Sequence, residues 1–380
     1  MDRDKAFRYV YDLVEMLLRK NGSDLFFTAG SPPGIKVDGI IHRVGSKKLS
    51  PAQTSVIAHS VMNDRQQRNF EETHELNFAL NYPDVARFRV SAFMQRNSYG
   101  MVMRLIKSHI PTIEELHLPP LLKDVALEKR GLVIFLGGTG CGKSTSLAAM
   151  VDYRNQNAQE HIITIEDPIE FFHRHKSCIV DQREVGVDTE SYAVALKNTL
   201  RQAPNVIMIG EVRDRETMEQ AINFAETGHL CLTTLHANNS NQAFDRIINF
   251  FPDNRRPQLL MDMAFNMKAF VSQRLIARAD EPRGLVPAVE VLLNTPLMQE
   301  LVFQGRIAEI KEQMTKSSEQ GIITFDQSLF NLYEDGKISY ENALRHADSV
   351  NNLRLMIKLQ SKKPPVKGLA GDIDSLEIQE

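Results

Sequence analysis

The most restrictive feature of this 380-residue chain is a glycine-rich run at residues 137–144, GGTGCGKS. The run follows an apolar strand pattern and opens a helical pattern, which is the local context that a phosphate-binding loop requires. Glycines let successive backbone N–H groups turn inward and form an anion-binding concavity at a helix N-terminus. A purely structural turn would not need the Lys-Ser pair at its end, so the run predicts a nucleotide site.

Each residue of this loop is expected to face the nucleotide. Lys143 should place its ammonium charge on the β- and γ-phosphates, and Ser144 should offer its hydroxyl to Mg²⁺. A thiol at Cys141 would feel the helix N-terminus that binds phosphate, which should raise its reactivity, so its alkylation is expected to block the site. The alternative is a small residue that merely fits at this position. The predicted cofactor-binding residues of the loop are Gly137, Gly138, Thr139, Gly140, Cys141, Gly142, Lys143, Ser144 and Thr145.

Two acidic motifs follow later apolar strands. Glu166 ends the strand pattern in residues 162–170, and Glu211 comes just past the strand pattern in residues 206–214. Ligands of parallel α/β sheets bind at the carboxyl ends of the strands. Hydrolysis needs a carboxylate that holds the metal shell and orients or deprotonates the attacking water. Glu211 is the first candidate for this role and Glu166 the second, with helix capping as the alternative for Glu211.

Two histidines flank a further strand pattern at 230–234. His229 precedes this strand and His236 comes at its end. A single histidine is more often structural, but this placement favours γ-phosphate sensing or subunit coupling for at least one of the two. His229 is predicted as a catalytic residue and His236 as a nucleotide-binding residue. No cysteine or histidine partners stand at metal-ligand spacing, so zinc is not expected.

The secondary-structure pattern changes between residues 108 and 120, where three prolines interrupt strands and helices. Helices are predicted at 4–20 and from 51 to about 69, with strands at 24–28, 35–37, 40–44, 76–80, 86–92 and 101–106. Beyond the boundary, apolar strands at 132–136, 161–165, 206–209, 230–234 and 286–293 alternate with helices. This alternation predicts a mostly parallel sheet and an α/β fold.

The domain organisation follows from these patterns. We expect an N-terminal α+β domain at 1–110, a linker at 111–120, an ATPase core at 121–295, a helical subdomain at 296–362 and a flexible tail at 363–380. The tail is predicted from its prolines, glycines and excess of acidic residues.

Composition narrows the class of protein. The chain has 45 Lys and Arg against 48 Asp and Glu, a formal charge of −3, so no basic field indicates nucleic acid. Three cysteines are too few for a disulfide framework and indicate a reducing compartment. No apolar run approaches the roughly 18 residues of a membrane span, so any membrane association is expected to be peripheral.

Four ordered motifs resemble the Walker A, Asp box, Walker B and His box of the secretion-superfamily ATPases. They lie at residues 137–144, 164–170, 210–214 and 227–236. Over roughly residues 5–350 the chain is similar to the retraction motors of type IV pili, the PilT/PilU family. The resemblance implies an N-terminal PAS-like α+β domain followed by a RecA-like P-loop ATPase domain with a helical C-terminal part. It also implies a homohexameric ring that uses ATP and Mg²⁺, with Ser144, Glu166 and Glu211 near the metal.

The resemblance further implies that arginines of the N-terminal sheet reach the phosphates. Arg89 and Arg104 lie on the matching strands, and Arg87 and Arg96 are weaker candidates. Such an arginine stabilises the charge of the transition state. The alternative is a solvated sheet face.

Departures from related motors refine the prediction. Pilus assembly ATPases often carry a tetracysteine zinc insertion that three cysteines cannot supply, which favours retraction. Residues 297–304, LMQELVFQ, replace a motif with two arginines in the principal retraction motor, which favours the PilU-like accessory branch. The implied partners are an inner-membrane pilus platform protein and the principal retraction ATPase, at the cytoplasmic face of the inner membrane. No nucleic acid is expected.

Two other functions stay open at this point. A RecA-like sheet also suits a nucleic-acid motor, which DNA would stimulate. A weakly active ring that binds nucleotide and acts as a scaffold for another pilus motor is the second alternative, although the intact Lys143, Ser144, Glu166 and Glu211 argue against it.

Overall fold

The computed structural model describes residues 2–82, 85–106, 109–281, 284–317 and 321–363, so the predicted tail lies outside the described residues except for its first residue. The chain divides into two compact units. The first combines Met1–His109 with Asp167–His173 and Arg183–Ser191, and the second holds Ile110–Glu166, Arg174–Gln182 and Tyr192–Glu380. The domain boundaries given above stay predictions.

The first unit is an antiparallel sheet with helices, the predicted α+β arrangement. Its elements are α1 (Arg3–Arg19), β1 (Asp24–Thr28), β2 (Gly34–Val37), β3 (Ile40–Arg43), α2 (Pro51–Ser60), α3 (Asp64–Thr73), β4 (Glu75–Tyr82), β5 (Ala86–Gln95) and β6 (Ser98–Ile106). The six strands are ordered β3-β2-β1-β6-β5-β4. Buried residues of α1, such as Val10 and Leu17, share one core with Phe88 and Val90 of β5. This packing leaves Arg87 and Arg89 on the other face of the strand.

The predicted helix from 51 to 69 is wrong as a single element. Helix α2 ends at Ser60 and α3 begins at Asp64. The cause is a second start signal, because the Asn63 side chain accepts a hydrogen bond from the Gln66 backbone N–H and the Gln66 side chain accepts one from the Asn63 N–H. This reciprocal capping box satisfies the free N–H groups of a new helix.

The second unit is a seven-stranded sheet flanked by helices. Its first elements are α4 (Leu121–Ala126), β7 (Gly131–Leu136), α5 (Lys143–Asn157), β8 (His161–Glu166), β9 (Ile179–Glu184), α6 (Tyr192–Thr199), β10 (Val206–Ile209), α7 (Arg215–Glu226) and β11 (Leu230–Leu235). The strand order is β13-β12-β7-β11-β10-β8-β9. Strands β7 and β11 are buried along their whole length, as expected for a parallel sheet covered on both faces.

The rest of this unit completes the sheet and adds helices. The elements are α8 (Ser240–Asn249), α9 (Arg256–Asn266), β12 (Met267–Ala277), β13 (Leu285–Leu293), α10 (Pro296–Phe303), α11 (Ile310–Lys316), α12 (Phe325–Glu334), α13 (Tyr340–His346) and α14 (Val350–Gln360). Strand β12 is parallel to β7, whereas β13 is antiparallel to β12. The predicted α/β class with a helical C-terminal part is confirmed, but strands β9 and β12 were missed because polar residues break their apolar runs. None of the described helices is long and apolar enough to cross a membrane.

Candidate nucleotide site

Strand register brings four of the predicted site residues to one edge of the seven-stranded sheet. Leu136 at the end of β7 pairs with Leu235 of β11. On the other side of β11, Thr233 pairs with Ile209 of β10, which in turn pairs with Ile165 of β8. All four strands run parallel, so the residues that follow them emerge at the same edge. The site residues at this edge are Gly137 and His236, directly after β7 and β11, Glu211, two residues past β10, and Glu166, the last residue of β8.

The phosphate loop joins β7 to α5 at this edge. Gly140 and Gly142 have φ values of 78° and 90°, in the left-handed region that favours glycine. Lys143 is buried, and its Nζ donates hydrogen bonds to the carbonyl oxygens of Gly137 at 2.8 Å and Gly138 at 2.9 Å. Ser144 and Thr145 follow in the first turn of α5. The predicted strand-loop-helix context of the motif is therefore confirmed.

Burial affects the pKa of Lys143. Removal from solvent lowers the pKa of its ammonium group, and the nearby Cys141 and Glu211 side chains partly oppose this shift. The ammonium is thus desolvated but lies close to the Glu211 carboxylate. The arrangement suits a cation whose remaining partner is an anion, such as a phosphate.

A cavity of about 310 Å³ opens beside the loop. Its lining is Gly137, Gly138, Thr139, Gly140, Cys141, Asn238, Gln273, Arg274, Leu275 and His346. Five of the nine predicted loop residues therefore face one concave space, at the lower end of the size range of ligand pockets.

Glu211 lies just past β10 with partners on both carboxylate oxygens. Its Oε1 lies 3.0 Å from Nε2 of His236, and its Oε2 accepts a hydrogen bond of 2.9 Å from Nε of Arg213. Strand β11 supplies the histidine, and a hydrogen bond from Thr234 Oγ1 to the Gly210 carbonyl ties the two strand ends together. The carboxylate is therefore held in a fixed orientation. The structure places His236 against Glu211, and its predicted contact with nucleotide stays a prediction.

Glu166 ends β8 and is buried. Its Oε1 accepts a hydrogen bond from Thr164 Oγ1 at 2.7 Å and another from Gln182 Nε2 at 3.2 Å. Sequence reasoning missed both partners. Thr164 could have been found, because residues two apart in a strand point to the same side. No local signal identifies Gln182, which reaches Glu166 from β9.

His229 lies at the opposite edge of the sheet. It precedes β11, and its Nδ1 contacts the Thr227 hydroxyl and the Phe224 carbonyl at 3.1 and 3.2 Å. Six residues of β11 separate it from the loop edge, a distance of about 20 Å. Within one chain the structure does not bring His229 together with the loop, and the subunit-coupling role stays a prediction.

The predicted arginines lie in the first unit. Arg89 and Arg104 are paired across β5 and β6. Arg104 Nε donates a 2.7 Å hydrogen bond to Oδ1 of the buried Asp24, although the Arg104 side chain is itself 64% exposed. Arg89 lies near Glu184; burial raises the pKa of that glutamate, and the charge of Arg89 opposes the rise. Both arginines thus have acidic neighbours in their own unit.

Comparison with known proteins identifies relatives over nearly the whole chain. Residues 2–344 match the profile of the family described as type II/IV secretion system protein. The chain is 59% identical to the type IV pilus ATPase PilU of Pseudomonas aeruginosa over 92% of its own length and 91% of that protein. It is 40% identical to the type IV pilus retractation ATPase PilT of the same organism, over 90% of this chain and 99% of that one.

A solved structure supports the same relationship. The crystal structure of the pilus retraction motor PilT with bound ADP matches with a TM-score of 0.83 at 36% identity, over 91% of this chain and 98% of that chain. The sequence motifs and these alignments agree, and the chain belongs to the type II/IV secretion system protein family, in the branch of the pilus ATPases PilT and PilU.

Proposed function

We propose that this chain is the ATP-hydrolysing subunit of a motor that retracts type IV pili, and that it acts as the PilU-like accessory motor. The observation that carries the proposal is the convergence of the phosphate loop, Glu166 and Glu211 at one edge of a parallel sheet. The assignment to pilus retraction is supported by the relatives, which are named as a type IV pilus ATPase and a type IV pilus retractation ATPase.

Lys143 and the loop would bind the triphosphate. The Lys143 ammonium now bonds to two loop carbonyls. On binding, it would exchange these acceptors for β- and γ-phosphate oxygens, which are stronger partners because they are charged. Loop N–H groups and the N-terminus of α5 would hold the remaining oxygens. Binding would thus restore a counter-charge to a desolvated cation.

Glu211 would orient the attacking water and accept its proton. A general base must lie within hydrogen-bond reach of the proton that it takes. His236 and Arg213 fix the direction of the carboxylate, and each binds a different oxygen. We infer that His236 acts through Glu211 as a positioning residue.

The donor set suits a magnesium ion that is bound mainly through the nucleotide. No group of three His, Cys, Asp or Glu side chains in the described part of the chain is placed to hold a metal alone. Mg²⁺ usually takes few protein ligands and completes its shell with water and phosphate oxygens. The Ser144 hydroxyl would be the direct ligand, with Glu166 and Glu211 near the metal shell. When bound, the ion would neutralise charge on the phosphates.

Arg89 and Arg104 are proposed to stabilise the transition state. Substitution Arg104→Ala should lower turnover by about 100-fold while ATP binding is retained, since the charge matters most in the transition state. Steady-state hydrolysis and binding of a fluorescent ADP analogue measure the two effects. Unchanged turnover would remove Arg104 from the site.

The assembly and its partners belong to the same proposal. We infer a homohexameric ring at the cytoplasmic face of the inner membrane, bound to the pilus platform protein and working with the principal retraction ATPase. The free energy released by ATP hydrolysis in the ring subunits would be converted into mechanical work on the platform protein.

Deletion of the gene, followed by complementation, tests this function. The wild-type gene should restore twitching and the normal number of surface pili. Genes encoding Lys143→Ala or Glu211→Gln should not restore twitching, and the cells should keep surplus surface pili, because retraction needs ATP hydrolysis. Full twitching with either variant, at wild-type protein levels, would contradict the proposal.

A further inference from the structure

Gln273 is a buried residue of β12 that lies beside the phosphate loop. Ser272 pairs with Leu136 at the end of β7, and β12 continues past that point. Gln273 therefore comes level with Gly137, the first residue of the loop. Only 3% of the surface of Gln273 is exposed, which is unusual for a glutamine unless its amide is hydrogen-bonded.

The amide of Gln273 bonds to two parts of the nucleotide site. Its Nε2 donates a 2.8 Å hydrogen bond to the carbonyl oxygen of Cys141, within the loop. Its Oε1 accepts a 2.7 Å hydrogen bond from the hydroxyl of Ser146, in the first turns of α5. One planar side chain thus links the loop to the helix that follows it, using its donor and its acceptor at once.

Two glycines of the loop pack directly against Gln273. A Cβ atom on Gly142 would lie 2.6 Å from Nε2 of Gln273, and one on Gly137 would lie 2.8 Å from the Gln273 carbonyl oxygen. Neither distance leaves room for a side chain. The loop is therefore shaped against Gln273 on its inner side, while Gly140 has open space around it.

We propose that Gln273 is a positioning residue that holds the phosphate loop in its anion-binding conformation. The Cys141 carbonyl must point away from the phosphates if neighbouring N–H groups are to point toward them. Gln273 supplies the donor that fixes this carbonyl. The inference rests on the proposed ATPase function and adds a residue to that site.

Two substitutions test the inference. Gln273→Ala removes both hydrogen bonds, and Gln273→Glu keeps the shape but replaces the donor with an oxygen. Each should weaken binding of a fluorescent ADP analogue by about 10-fold per folded protein, since Ala loses both buried hydrogen bonds and Glu sets a carboxylate oxygen against the Cys141 carbonyl oxygen. KM for ATP should rise in parallel. The isosteric Glu variant covers the case in which the Ala variant fails to fold.

Asn294→Ala is the matched control. The Asn294 amide bonds to the carbonyls of Ala264 and Met267, at the other end of β12. Its loss should lower the melting temperature while nucleotide affinity stays within twofold of wild type. In a double-mutant cycle, Ser146→Ala should add little to Gln273→Ala, because both remove the same link.

The outcomes separate the two proposals. Wild-type affinity in Gln273→Ala or Gln273→Glu, together with lost binding in Lys143→Ala, would overturn the role of Gln273 and leave the ATPase function intact. Wild-type affinity in Lys143→Ala would instead contradict the proposed nucleotide site. Additive effects in the double-mutant cycle would also overturn the link through Ser146.

Discussion

The two edges of the seven-stranded sheet both carry polar and charged residues, but they use them differently. At the carboxyl edge, Lys143 lies at the end of the phosphate loop, and Glu211 lies just past β10, on the far side of β11 from the loop. At the amino edge, Arg154 donates hydrogen bonds to the Ala126 and Glu128 carbonyls and pairs with Glu160. Residue type alone does not distinguish residues of the nucleotide site from residues that stabilise the fold. The strand end at which a residue lies makes this distinction.

The largest expected effect is at Glu211. Glu211→Gln should lower kcat by about 1,000-fold with little change in nucleotide affinity, because the base is lost while the loop is intact. Single-turnover hydrolysis and ADP-analogue binding measure the two quantities. Activity within 10-fold of wild type would assign the base to another residue, with Glu166 next in order.

Chemical modification of Cys141 tests whether the phosphate loop at the carboxyl edge is the functional site. It is partly exposed, whereas Cys178 and Cys231 are buried and burial raises the pKa of both thiols. A thiolate-selective reagent should therefore modify Cys141 first and lower ATP hydrolysis by about 100-fold, since the added group occupies the phosphate cavity. Cys141→Ser is the control and should resist. Equal inhibition of this variant would place the sensitive group elsewhere.

An amino-edge substitution should affect stability alone. Arg154→Met leaves Glu160 and two carbonyls without their partner, so the free energy of unfolding should fall by about 3 kcal/mol. Urea denaturation measures this loss. Nucleotide affinity per folded molecule should match wild type, and a clear loss of affinity would show that the two edges are not separate.

The two histidines give the smallest and most direct contrast. His236→Ala should lower kcat by about 10-fold, because Glu211 loses one of the two groups that orient it. His229→Ala should leave the nucleotide affinity of a single subunit unchanged, since it lies at the other edge. Nucleotide-binding and turnover assays on both variants measure these effects. Unchanged kcat in His236→Ala together with weakened nucleotide binding in His229→Ala would refute the assignment of the two histidines to opposite edges.

Much of this arrangement could be predicted from sequence because it depends on local patterns. The phosphate loop and the ends of β8 and β10 are each encoded within a few residues. The partners of Glu166 and Glu211 could not be predicted in the same way. Gln182 and His236 arrive from neighbouring strands, so their contacts depend on strand order and register.

Strand β12 shows the same limit more strongly. Its polar residues, Ser272, Gln273 and Arg274, interrupt the apolar run by which a buried strand is recognised. Gln273 bonds to the loop and to α5, and Ser272 bonds to the buried Glu290. The polar residues that prevent recognition of β12 from the sequence are thus the ones that bond this strand to neighbouring elements.

A structure of the full-length protein with Mg²⁺ and a non-hydrolysable ATP analogue tests the central claim most directly. The account predicts the β- and γ-phosphates in the loop, in contact with Lys143 and Ser144, and a water beside the γ-phosphate within hydrogen-bond reach of Glu211. A triphosphate bound away from the loop, or a γ-phosphate that Glu211 cannot reach through one water, would contradict it.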